Sequence, residues 1–565
     1  MVSGDMRSLM GVALLAFLGC SGGESASVVV DIYAADGVQH QDILGGGAAT
    51  DMELVLLGGD RTYVKTFDIG PRTGSLVGLP VGSGFRMVVR GFEGDSSDAI
   101  FYGASAEFDV EDGVDRIVSI QAGKTACVGL NKPSRYRSGG SADMAKVRVG
   151  MTSTVLPDGR VVVVGGAEVN TAGAPSTLHD TIEIYDPAQG SFITLERGGE
   201  PVTLDQPRAY HTATLLETGE ILLAGGIAGL TGGNPSVTAT ATLLDVDSPT
   251  PVRAFPTPFL DARSHHQAVL LSDGRGSVLI VGGQDQAERP LASAVRFFPP
   301  EAGGDPINGI FEVQGSMHRA RTAHSASPLQ HNTVKSVVVG GLGPDGPLDT
   351  VEVFTITDNA NQTGCADSEA RPSFAKGCFI RPQDPDSAER RNLQLASPRF
   401  GHRAVPVNNG AEILLVGGFA TANREETADS LELFVGESLR LTEVGTIDVG
   451  RGDLATVALN DGANEFVMAI GGRVGGGIDG SIGTPQIQTT RLRKVASPDG
   501  SVAYQAEPIG VNCMLPEARY GLGAVAMNNR TALLFGGITG AAGSLVASRR
   551  AELYFPRVLD VSVPE

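Results

Sequence analysis

Between residues 208 and 226 the chain reads Arg208-Ala-Tyr-His211, nine further residues that end in Glu220, and then Ile221-Leu-Leu-Ala-Gly225-Gly226. An arginine opens the unit, and a wholly apolar run ends it in a glycine pair. The same order returns at six other places. Arg148-Val-Gly-Met151 precedes Val161-Val-Val-Val-Gly165-Gly166, and Arg263-Ser-His-His266 precedes Val278-Leu-Ile-Val-Gly282-Gly283. Arg321-Thr-Ala-His324 precedes Ser336-Val-Val-Val-Gly340-Gly341, and Arg399-Phe-Gly-His402 precedes Ile413-Leu-Leu-Val-Gly417-Gly418. Arg451-Gly-Asp-Leu454 precedes Phe466-Val-Met-Ala-Ile-Gly471-Gly472, and Arg519-Tyr-Gly-Leu522 precedes Ala532-Leu-Leu-Phe-Gly536-Gly537. The spacing from arginine to first glycine stays between 17 and 20, while the step from one arginine to the next runs from 52 to 78. A constant core with variable connections is one structural unit repeated with loop insertions.

A third strand follows most glycine pairs: Thr181-Ile-Glu-Ile-Tyr-Asp186, Thr350-Val-Glu-Val-Phe354, Ser430-Leu-Glu-Leu-Phe434 and Ala551-Glu-Leu-Tyr554. Gly190-Ser-Phe-Ile-Thr-Leu195 supplies a fourth in the first unit. Four antiparallel strands in about 50 residues make a propeller blade. The Arg-x-x-His, Gly-Gly and Glu-x-Tyr pattern resembles the Kelch repeat family. That resemblance implies an all-β chain whose residues 131–565 form a seven-bladed Kelch-type β-propeller.

Each part of the unit has a physical reading. The apolar run suits an inner strand buried on both faces between blades. The glycines permit close backbone approach and positive φ. A buried guanidinium needs a partner, so the arginines are expected to reach Glu183, Glu352, Glu432 and Glu552 on the third strands, or backbone carbonyls. Thr242 and Arg296 stand at that place in blades 2 and 3, so pairing must differ there. His211, His266, His324 and His402 recur at one position, which Met151, Leu454 and Leu522 fill elsewhere. Residues exchangeable with Leu are packing residues, and no metal is expected. The last blade needs a fourth strand, from 558–563 or from the segment around 127–136; a Cys127–Cys513 bridge favours the second.

Upstream, residues 27–130 read as short strands separated by Gly, Pro and Asp, the pattern of a small β-sandwich. Leu79-Pro-Val-Gly-Ser-Gly-Phe-Arg-Met-Val-Val-Arg90 resembles immunoglobulin-like or prealbumin-like modules. Residues 1–20 read as a secretory signal: Arg7, then an apolar stretch of twelve residues, too short to span a bilayer. Phe17-Leu-Gly-Cys20 resembles the bacterial lipobox, which implies lipidation of Cys20 and anchoring at the outer membrane or cell surface, the periplasmic side included. Residues 21–27 read as a tether. With Cys20 lipidated, four cysteines remain, and Cys365–Cys378 with Cys127–Cys513 is the favoured pairing.

Composition narrows the function classes. Net charge is −21 and no basic block is present, which excludes nucleic acid as a partner. Trp is absent, which removes indole stacking platforms. No nucleophile elbow, phosphate loop or metal-ligand spacing is found. Arg451-Gly-Asp453 looks like an adhesion tripeptide, but Arg451 holds the motif place and is expected to be buried. The expectation is an envelope-anchored propeller that binds an envelope protein or polysaccharide and needs no cofactor. By this reading it is not an enzyme; the alternative is a carbohydrate-active enzyme of the galactose oxidase-like or sugar epimerase-like kind. Loops after the glycine pairs, 167–179, 227–238 and 473–488, should share the binding face, and 357–398 is the longest insertion.

Overall fold

Strand order was obtained from a computed structural model, which describes residues 12–13, 27–34, 51–58, 61–68, 81–93, 99–111, 115–124, 127–130, 141–256, 258–259, 261–300, 304–329, 334–356, 377–383, 392–460, 465–476, 483–496, 502–509 and 514–555. Their regular structure is β apart from two short 3-10 turns, Pro306–Asn308 and Asn408–Gly410. None of their helices is long and apolar enough to cross a membrane.

In blade 1, Thr152–Val155, Val161–Val164, Ile182–Asp186 and Ser191–Thr194 lie side by side in chain order, all antiparallel. Six further sheets share this plan, with first strands at Thr212–Leu215, Gln267–Leu270, Ser325–Pro328, Arg403–Val407, Ala455–Asn460 and Gly523–Ala526. Each first strand touches the first strand of the next sheet, and Gly523–Ala526 touches Thr152–Val155, so the ring closes. In blade 1, Thr152 pairs Val164 and Val155 pairs Val161. The motif and the glycine pair therefore share one end of every blade, and the turn between the two strands marks the opposite end.

The apolar run is the second strand from the axis. Its period of two divides it between neighbours. Val161 and Val163 enter the core between blades 7 and 1, whereas Val162 and Val164 enter the core between blades 1 and 2. Ile221 and Leu223 fill that second core from its other side, and Leu222 and Ala224 begin the next. At the far end Ala532 and Leu534 face blade 6, and Leu533 and Phe535 return to the first core. A strand with two buried faces cannot alternate polar and apolar residues, which is why these runs are unbroken. Each such side chain contributes about 1.5–3 kcal/mol by leaving water.

The fourth strand of blade 7 is Cys127–Leu130, antiparallel to Ala551–Phe555. It comes from the second of the two routes open to the sequence, and it moves these residues from the amino-terminal unit, where a boundary at 130 put them, into the propeller. Residues 558–563 lie outside the described residues. Ring closure by the start of the propeller covers the edge that Ala551–Phe555 would otherwise expose.

The amino-terminal strands form one hydrogen-bonded path, in the order Val12–Ala13, Ser27–Ala34, Asp115–Lys124, Ala99–Ala104, Gly82–Phe92, Asp51–Gly58, Arg61–Asp68, with Phe108–Val110 branching from Gly82–Phe92. Alternation again sorts the faces. Leu54, Leu56, Met87 and Val89 enter this unit's own core. Val55, Val88, Tyr102 and Ala104 enter the core between blades 7 and 1. The Tyr102 hydroxyl donates to the Asn529 carbonyl at 3.2 Å, and Asn529 Nδ2 donates to the Ala104 carbonyl at 3.3 Å. Asn529 sits in the first-to-second-strand turn, so this unit lies at the end of the ring away from the glycine pairs.

The second glycine of each pair donates its N–H to the carbonyl of the next blade's motif arginine: Gly166 to Arg208 at 2.7 Å, Gly226 to Arg263 at 2.8 Å, and finally Gly537 to Arg148 at 2.9 Å. The first glycine leaves no room for a Cβ. At Gly225, φ is +60° and an added Cβ would stand 2.7 Å from the Arg263 carbonyl oxygen. Gly232, at φ +61° in a hairpin tip, would meet nothing within 4 Å. Gly232→Ala should cost about 1–2 kcal/mol for its left-handed backbone, and Gly225→Ala roughly 1–3 kcal/mol more for the collision. Thermal midpoints of the two variants test this ordering; equal midpoints would contradict the close approach between blades.

Candidate functional site

The seven motif arginines, Arg148, Arg208, Arg263, Arg321, Arg399, Arg451 and Arg519, are fully buried. In four blades the expected carboxylate is found. Arg148 pairs Glu183 at 2.7 Å and Arg321 pairs Glu352 at 2.6 Å; Arg399 pairs Glu432 and Arg519 pairs Glu552. Where the glutamate is missing, neutral acceptors take the short hydrogen bonds and an aspartate stands farther off: Asp205 is 3.5 Å from Arg208, Asp261 3.8 Å from Arg263 and Asp448 3.8 Å from Arg451. Arg208 donates to Thr240 Oγ1 at 2.8 Å and Thr242 Oγ1 at 2.9 Å, and Arg263 to Ser293 Oγ at 2.9 Å. Arg451 reaches Gln486 Oε1 at 3.1 Å. Six of the arginines also donate to the carbonyl of their own blade's first glycine: Gly165, Gly225, Gly282, Gly340, Gly417 and Gly536. Burial pulls Arg263 down to about 10, and with only Asp261 opposing it. Burial raises Glu432 and Glu552 despite their arginines.

The recurrent histidines are latches between blades. The Nε2 atoms of His211, His266 and His402 lie 2.9, 3.0 and 2.8 Å from the hydroxyls of Thr152, Thr212 and Ser325, each at the start of the preceding blade's first strand. In blade 3 Gln267 holds the place of that hydroxyl, and neither ring nitrogen of His324 has a side-chain partner among the described residues. Burial drives His211 and His324 to about 3 and His266 and His402 well below their ordinary value.

The residue between the arginine and the histidine, third in each motif, was not singled out from the sequence. Its backbone is left-handed in every blade: Gly150, Tyr210, His265, Ala323, Gly401, Asp453 and Gly521 have φ between 48° and 64°. Their main chains are joined in series. Tyr210 N–H donates to the Gly150 carbonyl, His265 to Tyr210, Ala323 to His265, Gly401 to Ala323, Asp453 to Gly401 and Gly521 to Asp453. Glycine takes this conformation freely; Tyr210, His265 and Asp453 do so at a cost of order 1–3 kcal/mol each, which marks a candidate site. The signal in the sequence was their departure from the Gly found in three of the seven copies.

These three side chains meet others at the axis, on the end that carries the glycine pairs. The Tyr210 and His265 rings stack, centroids 4.3 Å apart. Asp453 Oδ2 lies 3.4 Å from Arg473 Nε. The Arg473 guanidinium is 4.8 Å from the Tyr520 ring centre and 5.5 Å from that of Phe419, and Arg424 faces Phe419 from 5.5 Å as well. Burial pushes Tyr210 up to about 12, helped by Asp453 and Tyr520, and lowers His265 to about 4 against the pull of Asp453. Near pH 7 the His265 imidazole is thus neutral and the Tyr210 and Tyr520 phenols are protonated.

No family model matches the chain, and no curated protein was found similar to it. Among solved structures, it is similar to a fungal alcohol oxidase of the AA5 family in complex with copper, at 14% identity and a TM-score of 0.44, covering 73% of this chain and 74% of that one. The expectation that the chain is not an enzyme is withdrawn on this finding, because the similar structure is that of an enzyme. At this identity and TM-score, neither its reaction nor its copper passes to this chain. Two guanidiniums at the axis repel a cation, and among the described residues no three His, Cys, Asp or Glu side chains converge as metal ligands.

Around the cluster stand two of the expected loops, in which Ala167–Val169 pairs Pro175–Leu178 and Ile227–Thr231 pairs Asn234–Val237, and a hairpin not singled out from the sequence, Ile538–Thr539 with Val546–Ala547. Residues 477–482 of the third expected loop lie outside the described residues. The first hairpin touches both of the others. Arg473 bridges Gly452 and Gly483. Cys20, Cys365 and Cys513 lie outside the described residues, as do 357–376 and 384–391 of the long insertion; Cys378 is disulfide-bonded.

The depressed histidines make the fold acid-sensitive. The unfolded chain binds protons near pH 6.5 and the folded chain does not, so stability is complete above that value and falls as pH drops toward the folded pKa. The slope is about 1.4 kcal/mol per pH unit for each histidine. His324→Leu, which copies blades 6 and 7, should flatten the slope between pH 6 and 4 by about that amount; unchanged pH dependence of the thermal midpoint would contradict it. Arg321→Met should strand the Glu352 carboxylate and cost about 3–5 kcal/mol, with Glu352→Gln in the same chain recovering part of the loss.

Proposed function

We propose that the chain is a binding or scaffold protein, anchored to the cell envelope through Cys20, that takes an envelope protein or polysaccharide on the end of the propeller carrying the glycine pairs. One observation carries this reading. Neighbouring hairpins pack side by side around a cluster of strained, chemically diverse axial residues, while the same place in other blades is Gly or Ala. Strained backbone at a loop-rich face is retained where a ligand uses it. The amino-terminal unit packs on the opposite end, so an anchor beyond it leaves this face pointing away from the membrane.

The absence of Trp supplies the test. Thr177→Trp and Asn234→Trp place a single indole on exposed hairpin positions and add bulk without charge. Envelope polysaccharide and solubilised envelope protein are titrated against the full chain and each variant. A saturable change in indole emission, with binding weakened several-fold against a Ser272→Trp control at the other end, is the expected result. Binding untouched by both hairpin variants would refute the face. Copper-dependent oxidation of a primary alcohol sugar by the same preparation would replace the reading with an enzymatic one.

A further inference from the structure

We propose that the axial pocket binds a carboxylate monoanion, held between Arg473 and Arg424. The proposal rests on the reading of this end as the binding face and names the chemistry at its centre.

Arg473 carries the argument. It is 8% exposed, yet its Nε and Nη2 have no hydrogen-bond partner among the described residues. The neighbouring Asp453 oxygen, 3.4 Å from Nε, does not meet hydrogen-bond geometry. The motif arginines differ: each places its terminal nitrogens on carbonyls, hydroxyls, an amide or carboxylates, and where one nitrogen is left over it is Nε. A lone Nε is tolerated in four of those arginines, but Arg473 also leaves the terminal Nη2 unfilled at a cost of about 1–3 kcal/mol, and that edge is open to an acceptor from outside. Arg424 is half-buried, and its side chain makes no hydrogen bond or ion pair among the described residues. Both guanidiniums flank the Phe419 ring, each 5.5 Å from its centre. The ring blocks one side of each cation and leaves the N–H edges for a ligand.

Charge and shape choose among anions. Arg473 and Arg424 face one carboxylate, Asp453, and Arg403 is a third cation acting on it, so the site keeps positive charge in a chain of net charge −21. An anion answers that charge, and the fewer charges it carries the less Asp453 repels it. The planar fork of a guanidinium matches the two oxygens of a carboxylate. Tyr210 and Tyr520 are both held protonated by burial, and the Tyr520 hydroxyl lies close enough to the Arg473 guanidinium for each to affect the other. The carboxylate could belong to a free acid or to a uronate unit of a polysaccharide, and the experiment separates them.

The full chain is titrated by calorimetry with sodium glucuronate, oligogalacturonate, glucose and inorganic phosphate. Glucuronate should bind and glucose should not. Tighter binding of the oligomer identifies a polysaccharide source, and equal binding a free acid. Arg473→Met should weaken glucuronate by about tenfold or more, the loss of one charged hydrogen-bond pair. Asp453→Asn, which keeps a residue tolerant of left-handed φ, should tighten it several-fold by removing the repelling charge, with an unchanged thermal midpoint. A purely structural role for Asp453 would not produce tighter binding. Failure of every carboxylate at millimolar concentration, equal binding of glucose, tighter binding of phosphate, or weaker binding by Asp453→Asn would each overturn the proposal. If the hairpin Trp variants still report envelope binding when glucuronate fails, the face stands and only the carboxylate assignment falls.

Discussion

A charged group buried between apolar blades is an unpromising start for a stable ring, and the seven motif guanidiniums show how it is made to work. Each is fully buried, and most take the glycine carbonyl of their own blade. Their main-chain carbonyls accept from the glycine of the blade before. Every arginine thus ties two blades at one point. The side chain is held within its sheet, the backbone across the gap. The penalty for an unsatisfied guanidinium in an apolar surrounding makes this arrangement all-or-none, so each blade has one admissible angle and depth relative to the next. The carboxylate is the replaceable part. Thr240 with Thr242, Ser293, and Gln486 take the directed hydrogen bonds in its place, while Asp205, Asp261 and Asp448 supply the opposite charge from farther away.

The axial cluster follows from this lattice. The arginine and the residue three places on are both locked into the gap between blades, one by its guanidinium and the other as a latch or packing residue. The residue between them has to reverse direction in a short space and takes a left-handed turn toward the axis. In three blades glycine does so without strain. In blades 2, 3 and 6 a tyrosine, a histidine and an aspartate do so under strain, the adjoining loops add Arg424 and Arg473, and the blade 7 motif adds Tyr520. The scaffold delivers seven equivalent places to the axis and the sequence fills only some of them with chemistry, which is how a repeat acquires a single site.

Much of this was legible without coordinates. The repeat, the buried arginines, the third-strand glutamates and the structural role of the histidines follow from spacing and from the exchange of residues at equivalent places, whereas the origin of the closing strand stayed open between two routes. Arg296 shows where such reading stops. Its position signalled that blade 3 pairs differently, but not how: the guanidinium turns away to Asp273 and Ser277, at the end of the blade far from the glycines. The boundary at 130 was misplaced for a related reason. Cys127–Leu130 has no side-chain signature of its own, and its place is set by backbone hydrogen bonds to a strand more than four hundred residues later.

The sequence alone determined the unit, its number and its order, because period, burial and exchangeability are local properties that repeat. Only the tertiary structure decided which residues share the axis. Tyr210, His265, Asp453 and Arg473 are spread over more than 260 positions of the chain, and nothing in their spacing links them. They meet because a closed ring brings equivalent ends of successive blades to one point, and that closure is a property of the whole circle of contacts rather than of any segment within it.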